Sequence, residues 1–369
     1  MESLFYHHSL DLTFKSAQTL QVIKDYYYLS KLSIPIVVYG TYKREADFIL
    51  IQKYIGNSNL KVISRRRTFF GKILVKIIFY WTLLICTKKV IVTRHYRKLS
   101  EALFLKKILN YKVFHEMHEE SFPYLFKAHI KKEKIKSLLL NKRLDCIIFT
   151  NPSQELLFKQ EFNQDPKRFH ILPNGVEVEK FENATMSTNF VLTYLGQFNH
   201  WKNVELIFES LSLLDARYTL RIAGGQGDES SKNFINNLLK KYNIHANRVD
   251  YLGFIKNHEV ANKVLNNSHL LLLPLGDNVQ SKFLTSPMKL FEYMATKIPI
   301  LAVNHPSVRM ITSEAIFLSE NNAGAFTDQI REICENKRNF NFDSMNLLAQ
   351  KYSYINRSCS FLEEVIRGN

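Results

Sequence analysis

Short runs that are apolar throughout, apart from the closing Thr150 of the second, recur along this chain at residues 34–39, 146–150, 270–274 and 300–303 and end in polar, glycine or proline turns. Such runs suit strands buried on both faces, the condition of strands in parallel sheets. Between them lie stretches with apolar residues at helical spacing, at 14–29, 99–109, 151–162 and 204–214 among others. Strand and helix therefore alternate, and they do so in two blocks. Strands are expected at 4–8, 34–39, 89–93, 111–115 and 146–150. The alternation then restarts with 190–195, 218–223, 249–253, 270–274 and 300–303. The fold class that follows is α/β, with two doubly wound domains of Rossmann-like form, each binding ligands outside the carboxyl ends of its strands. A chain of 369 residues is long enough for both.

Apolar content of 46% and charged content of 23% are those of a folded globular protein. Cys86, Cys146, Cys334 and Cys359 are scattered without metal-ligand or redox spacing, so free thiols in a reducing compartment are expected. Residues 1–11 lack the charged-then-apolar order of a signal peptide. The net charge of +16 is lopsided: residues 1–180 carry 31 Lys and Arg against 16 Asp and Glu, the remainder 19 against 18. A basic first half suits an anionic lipid surface or an anionic acceptor. Nucleic acid ranks lower, since no recognition motif for it is present. Within this half, Arg65-Arg66-Arg67 precedes Phe69 and Phe70, and residues 77–86 are apolar apart from Thr82. That run is about half of the ~20 residues needed to cross a bilayer. It fits an interfacial helix on a membrane; a core helix beside a basic loop is the alternative.

Candidate site residues cluster late in the chain. Thr285-Ser286-Pro287 precedes a helix-forming run, with Ser286 placed as cap and Pro287 in the first turn. Lys289 and Glu292, three apart, project from one face of that helix, and Pro299 ends it. A cation, a carboxylate and free amides at one helix start suit a ligand with phosphates and hydroxyls; a capped helix with a surface ion pair is the plain alternative. Lys202 also stands at a helix start, a poor place for a cation unless an anion binds there. Gly224-Gly225-Gln226-Gly227 follows a strand and could cradle phosphate, though without GxGxxG spacing. In the first half, His7 and His8 end one strand and Arg94-His95 another; the histidines are cleft residues or ordinary loop residues. His115-Glu116-Met117-His118-Glu119-Glu120 puts two histidines three apart after a strand. The zinc pattern needs them four apart on a helix, so no metal is expected.

The stretch Ser286-Pro287-Met288-Lys289-Leu290-Phe291-Glu292-Tyr293-Met294-Ala295 resembles the Ser-Pro-x-Lys-x-x-Glu-Tyr-Met-Ala segment of the family 4 (group 1) retaining glycosyltransferases, of bacterial surface-polysaccharide type. Residues 169–176, with Pro173-Asn174-Gly175-Val176 and Phe181 downstream, resemble that family's passage between domains, and Gly196 with Lys202 its diphosphate-binding turn. The resemblance implies the GT-B fold, with two domains facing a cleft. It implies a first, acceptor-binding domain over 1–185, a nucleotide-sugar domain over 186–351, a division near 183–189, and a last helix at 352–369 crossing back. It implies a glycosyltransferase in which Lys202 and Lys289 hold the donor diphosphate, Glu292 the ribose, and His118, or else His115, the sugar. Gly196, Gln197, Gly224, Gly225, Phe254, Ile255, Thr285, Ser286 and Pro287 would line the donor site. His7, His8, Arg94 and His95 would lie on the acceptor side. No cofactor or metal is implied, the nucleotide-diphosphate sugar being a co-substrate. The acceptor would be a lipid-linked or cell-surface glycan, met at the inner face of the cell membrane. Two departures stand out. Leu284 replaces the first glutamate of the family's E-x7-E pattern, and Gln197 replaces an arginine. They leave room for a catalytically inactive binding subunit of the same fold, and for a membrane-bound enzyme with a soluble acceptor.

Overall fold

The computed structural model describes residues 3–13, 17–118, 122, 129–178, 189–255, 264–265, 267–309, 311, 313–335 and 342–368. Of the expected features, Phe181, Glu119, Glu120 and the interval 183–188 lie outside these residues. The chain divides into two compact units, Met1–Gly175 with Tyr354–Asn369, and Val176–Ser353.

In the first unit the order is β1 (Ser3–Asp11), α1 (Ala17–Ser30), β2 (Ile36–Tyr42), α2 (Glu45–Ile55), β3 (Leu60–Arg66), α3 (Phe69–Ile85), β4 (Lys89–Thr93), α4 (Tyr96–Leu105), β5 (Lys112–Met117), α5 (His129–Leu139), β6 (Cys146–Phe149), α6 (Pro152–Phe162) and β7 (Phe169–Ile171). Seven parallel strands form one sheet in the order β3-β2-β1-β4-β5-β6-β7. The chain winds outward from β1 to β3 and then returns to the other side of β1 with β4. Strand β4 is buried at every residue, as its unbroken apolar core requires.

β1 does not end at His8, as expected, but pairs with β2 as far as Asp11. β2 likewise passes through Gly40, which was expected to close it. A Cβ on Gly40 would lie 2.4 Å from the Leu10 carbonyl oxygen, so the glycine permits close strand contact rather than a strand end.

The second unit contains β8 (Phe190–Gly196), α7 (Val204–Ser212), β9 (Tyr218–Gly224), α8 (Glu229–Lys241), β10 (Val249–Tyr251), β11 (Leu270–Leu273), α9 (Met288–Met294), β12 (Ile300–Val303), α10 (Pro306–Arg309), β13 (Ile316–Ser319), α11 (Ala323–Glu335) and α12 (Phe342–Lys351). Its six parallel strands run in the order β10-β9-β8-β11-β12-β13. Leu270–Leu273 and Ile300–Val303 are wholly buried at its centre.

After Ser353 the chain rejoins the first unit as α13 (Tyr354–Ser360) and a following wide helical turn, Phe361–Arg367. Tyr354 stacks on Tyr28 of α1 at 5.4 Å, and Phe361, Val365 and Ile366 complete the core that Leu4, Val22, Ile36 and Val90 begin.

Candidate active site

The second sheet reverses its winding between β8 and β11, the place where an open α/β sheet offers a crevice to ligands. The loops leaving these two strands are tied together there. The Trp201 carbonyl accepts a hydrogen bond from the Gly276 amide at 2.9 Å and another from the Ser281 hydroxyl at 2.8 Å. Trp201 belongs to a single 3-10 turn, His200–Lys202, and the Lys202 ammonium lies 4.1 Å from the centre of the Trp201 ring. On α9, Lys289 donates to Glu292 at 2.5 Å. These groups form one electrostatic patch. Burial, then the charge of Lys289, pulls Lys202 down to about 8, and Glu292 opposes both. Helix α9 is pinned to the end of β8, because the Leu195 amide donates to the buried Tyr293 hydroxyl at 2.9 Å.

Gly196 and Gly224 end β8 and β9 in register. Gly224 has φ +140°, and a Cβ there would lie 1.7 Å from the Gly196 carbonyl oxygen. Gly225 has φ +66°, and its Cβ would meet the Ser231 hydroxyl at 2.6 Å. Both therefore need to be glycine. Phe254, half exposed, and the partly buried Ile255 follow β10 beside the same turn; a Cβ on Gly227 would lie 2.9 Å from that of Phe254. Gln197 is exposed at the mouth of β8, its carbonyl accepting from the Tyr194 hydroxyl at 2.8 Å.

The start of α9 differs from expectation. Its first helical residue is Met288, Pro287 is the flanking residue with ψ 84°, and no side chain caps it. Ser286 is thus one residue too early to be the cap, because Pro287 lies outside helical geometry. A wide helical turn, Gln280–Leu284, precedes it and buries Leu284. Thr285 and Pro287 are buried and Ser286 is partly so.

The first sheet reverses between β1 and β4. His8, within β1, and His95, two residues past β4, meet beside this point, their rings 6.4 Å apart, and Gln18 approaches His8 Nε2 at 3.3 Å. Burial, then the charge of Arg94, lowers His8 to about 4. His7 does not join them. Successive strand residues face opposite ways, and His7 turns inward, stacking on Phe79 at 5.4 Å. Its Nε2 lies 3.1 Å from Glu101 and 3.2 Å from the Tyr80 hydroxyl, so the expected acceptor-side role of His7 gives way to a core role. Burial favours raising the Glu101 pKa. Hydrogen bonds from His7 and Lys98, and then from Tyr80, outweigh it and hold Glu101 at about 2.

The two histidines near β5 have different surroundings. His115 is fully buried with Thr93 Oγ1 2.8 Å from its Nδ1, and burial takes it down to about 3. His118 lies at the strand end, Nε2 2.5 Å from Glu116. Burial, then Arg94, holds it near 4, so at neutral pH it donates from Nε2 to the Glu116 carboxylate and keeps Nδ1 as an acceptor. Burial works against the Glu116 charge, but the bond from His118, with Arg357 and Arg94, keeps its pKa low. Arg357 of α13 lies 3.5 Å from Glu116 and 3.4 Å from Asp25 of α1. Burial raises Asp25 to about 7 despite that arginine. Arg357, Asp25, Trp201 and Tyr293 were missed from the sequence; no local pattern links residue 357 to residue 116. In the sequence Glu116 stands out only as part of a metal-like His-Glu cluster.

Residues 176–349 match the family model described as glycosyl transferases group 1. No curated protein matches the chain. Anabaena HepE, solved with UDP and glucose, gives a TM-score of 0.75 at 13% identity, with 100% of each chain covered. Sucrose-phosphate synthase of Thermosynechococcus elongatus gives 0.76 at 14%, covering 100% of this chain and 99% of the synthase. The lipopolysaccharide outer core galactosyltransferase WaaB, in its apo form, gives 0.71 at 14%, with 100% of each covered. At such identities these structures speak for the fold, and it is the one expected, two parallel Rossmann-like sheets of the GT-B type. The second unit thus matches the group 1 glycosyl transferase model over nearly its whole length, and the chain that carries it has the GT-B fold.

Proposed function

We propose that this chain moves a sugar, with retention at the anomeric carbon, from a nucleotide-diphosphate sugar to a hydroxyl of a glycan acceptor. The observation that carries the reading is the patch of Lys202, Lys289 and Glu292 beside the reversal point of the second sheet. When the bond from the anomeric carbon to the phosphate oxygen breaks, negative charge grows on the leaving diphosphate. Two fixed ammonium groups stabilise that charge, usually the largest electrostatic contribution to such a step. Lys289 replaces the cation that Gln197 does not supply, and the pair acts without a metal ion. Glu292 accepts from the ribose hydroxyls, Phe254 and Ile255 flank the base, and the Gly224-Gly225 turn lets the donor approach the backbone. The acceptor hydroxyl attacks from the face the diphosphate leaves and passes its proton to the departing phosphate oxygen, so no protein nucleophile is needed. His118 Nδ1 accepts from a sugar hydroxyl. His8, Arg94 and His95 serve the acceptor, a lipid-linked or cell-surface glycan that the basic first half meets at the inner face of the cell membrane.

The relative solved with UDP and glucose makes UDP-sugars the first donors to try. At a ligand concentration 100 times its Kd, binding to the native state adds about 2.7 kcal/mol. One diphosphonucleotide should raise the melting temperature, with no effect of chelator and no shift in Lys202→Ala; the anomer formed, read by NMR, then tests retention. A catalytically inactive binding subunit is the second reading, favoured by the buried Leu284 and by Gln197. It expects the same thermal shift with no turnover of any donor. No shift with any nucleotide overturns both.

A further inference from the structure

Helix α3 is apolar on two opposite sides. Gly71, Val75, Phe79 and Leu83, four residues apart, are buried; Phe79 packs on Tyr39 of β2 at 4.5 Å and on Phe5 of β1 at 5.8 Å. The opposite side repeats in steps of three and four through Phe70, Ile73, Leu74, Ile77, Trp81 and Leu84, all exposed, with Phe70 at 80% and Trp81 at 66%. A helix apolar all round is ordinarily buried, and a contiguous open apolar face marks a docking surface.

The charge around this face says what covers it. From residue 48 to residue 100 the chain holds twelve Lys and Arg and no Asp or Glu. Arg65, Arg66 and Arg67 lead into the helix, and Lys72 and Lys76 lie along its flank, all five exposed. A second copy docked here would set two such basic stretches against each other. Anionic lipid headgroups complement them. Aromatic residues with flanking lysines on one helix are also the pattern of elements lying in a membrane interface. The helix cannot span: 17 residues cover about 25 Å, and its inner side is committed to the sheet. Among the described residues no helix is long and apolar enough to cross a membrane.

We propose that α3 seats this protein on anionic membrane lipid, its outward face entering the headgroup layer while Arg65–Arg67, Lys72 and Lys76 contact the phosphates. This deepens the membrane part of the function proposed above and rests on it: insertion and basic charge together give the two signals that stable peripheral binding takes.

The test is co-sedimentation with phosphatidylglycerol and with phosphatidylcholine vesicles, across salt, for the unaltered chain and for the triple variant Phe70→Ser, Ile77→Ser, Trp81→Ser. The unaltered chain should bind the anionic vesicles and lose affinity only in part at high salt. The triple variant should keep its melting temperature, since the three side chains are exposed, and bind at least about tenfold more weakly. Equal binding by variant and unaltered chain overturns the role of α3 and leaves the basic-surface reading standing. No binding of the unaltered chain to either vesicle overturns both. Equal binding to both vesicle types overturns the anionic preference. A dimer of the unaltered chain in sedimentation velocity that the triple variant abolishes would assign the face to a second copy instead. The nucleotide shift is independent of every one of these outcomes.

Discussion

Lys202 keeps its charge under strain: burial and a second lysine both favour its neutral form, and at about 8 it titrates close to physiological pH. An arriving diphosphate reverses that balance. Binding of a diphosphonucleotide should therefore weaken as pH rises above about 8, where free Lys202 loses its proton, and Lys202→Arg should flatten that limb; calorimetric titration from pH 6.5 to 9.5 checks both. The sign is opposite for His118. Its folded pKa near 4 lies below the ordinary histidine value, so its stabilising effect is present above about 6.5 and fades as pH falls through 4. NMR titration of the ring should show a midpoint near 4 that rises in Arg94→Gln, because that arginine is the largest neighbouring charge disfavouring the imidazolium. At this scale the sequence was readable wherever chemistry is local. The three-residue spacing of Lys289 and Glu292 foretold their contact. The partnership of Glu116 with Arg357 bridges 241 positions and left no trace in spacing. His7 and His8 looked equivalent only because β1 was expected to end at His8; once the strand continues, alternation separates them.

Among the elements, the parallel strands were the most legible, since burial on both faces leaves an unmistakable apolar run such as Leu270–Leu273. Less legible were the wide turn at Gln280–Leu284 and the late start of α9, which depend on the ψ of Pro287 rather than on residue type. The glycine turn after β9 was read as a weak phosphate cradle, yet its first glycine is compelled by the neighbouring strand. Gly224→Ala should destabilise the second unit by about 2–4 kcal/mol, because a methyl group must displace backbone at a positive φ; chemical denaturation followed by the second unit's transition measures it. Helix α3 shows the limit of pattern reading from the other side. Its apolar composition was plain, but only the structure separates the stripe that packs on the sheet from the stripe that faces out.

For the molecule as a whole, two compact units, each closed around apolar residues of its own, imply two unfolding transitions rather than one. Arg357 belongs to the first. Arg357→Met removes the cation between Glu116 and Asp25, and loss of one partner from a buried ion pair costs about 3–5 kcal/mol. Urea unfolding should show the first unit's transition shifted by that amount and the second's unmoved; a shift of both, or of neither, contradicts the assignment. The order of the chain adds a consequence in time. The second unit is continuous, but the first is interrupted by it and receives α13 only afterwards. At synthesis rates of about 5–20 residues per second, some 10–35 s separate the emergence of Gly175 from that of Tyr354. Through that interval the nascent first unit has all seven of its strands but lacks the side chains that close its core, its buried carboxylates lack their arginine, and this incompletely covered sheet is the part of the molecule most in need of a chaperone's cover.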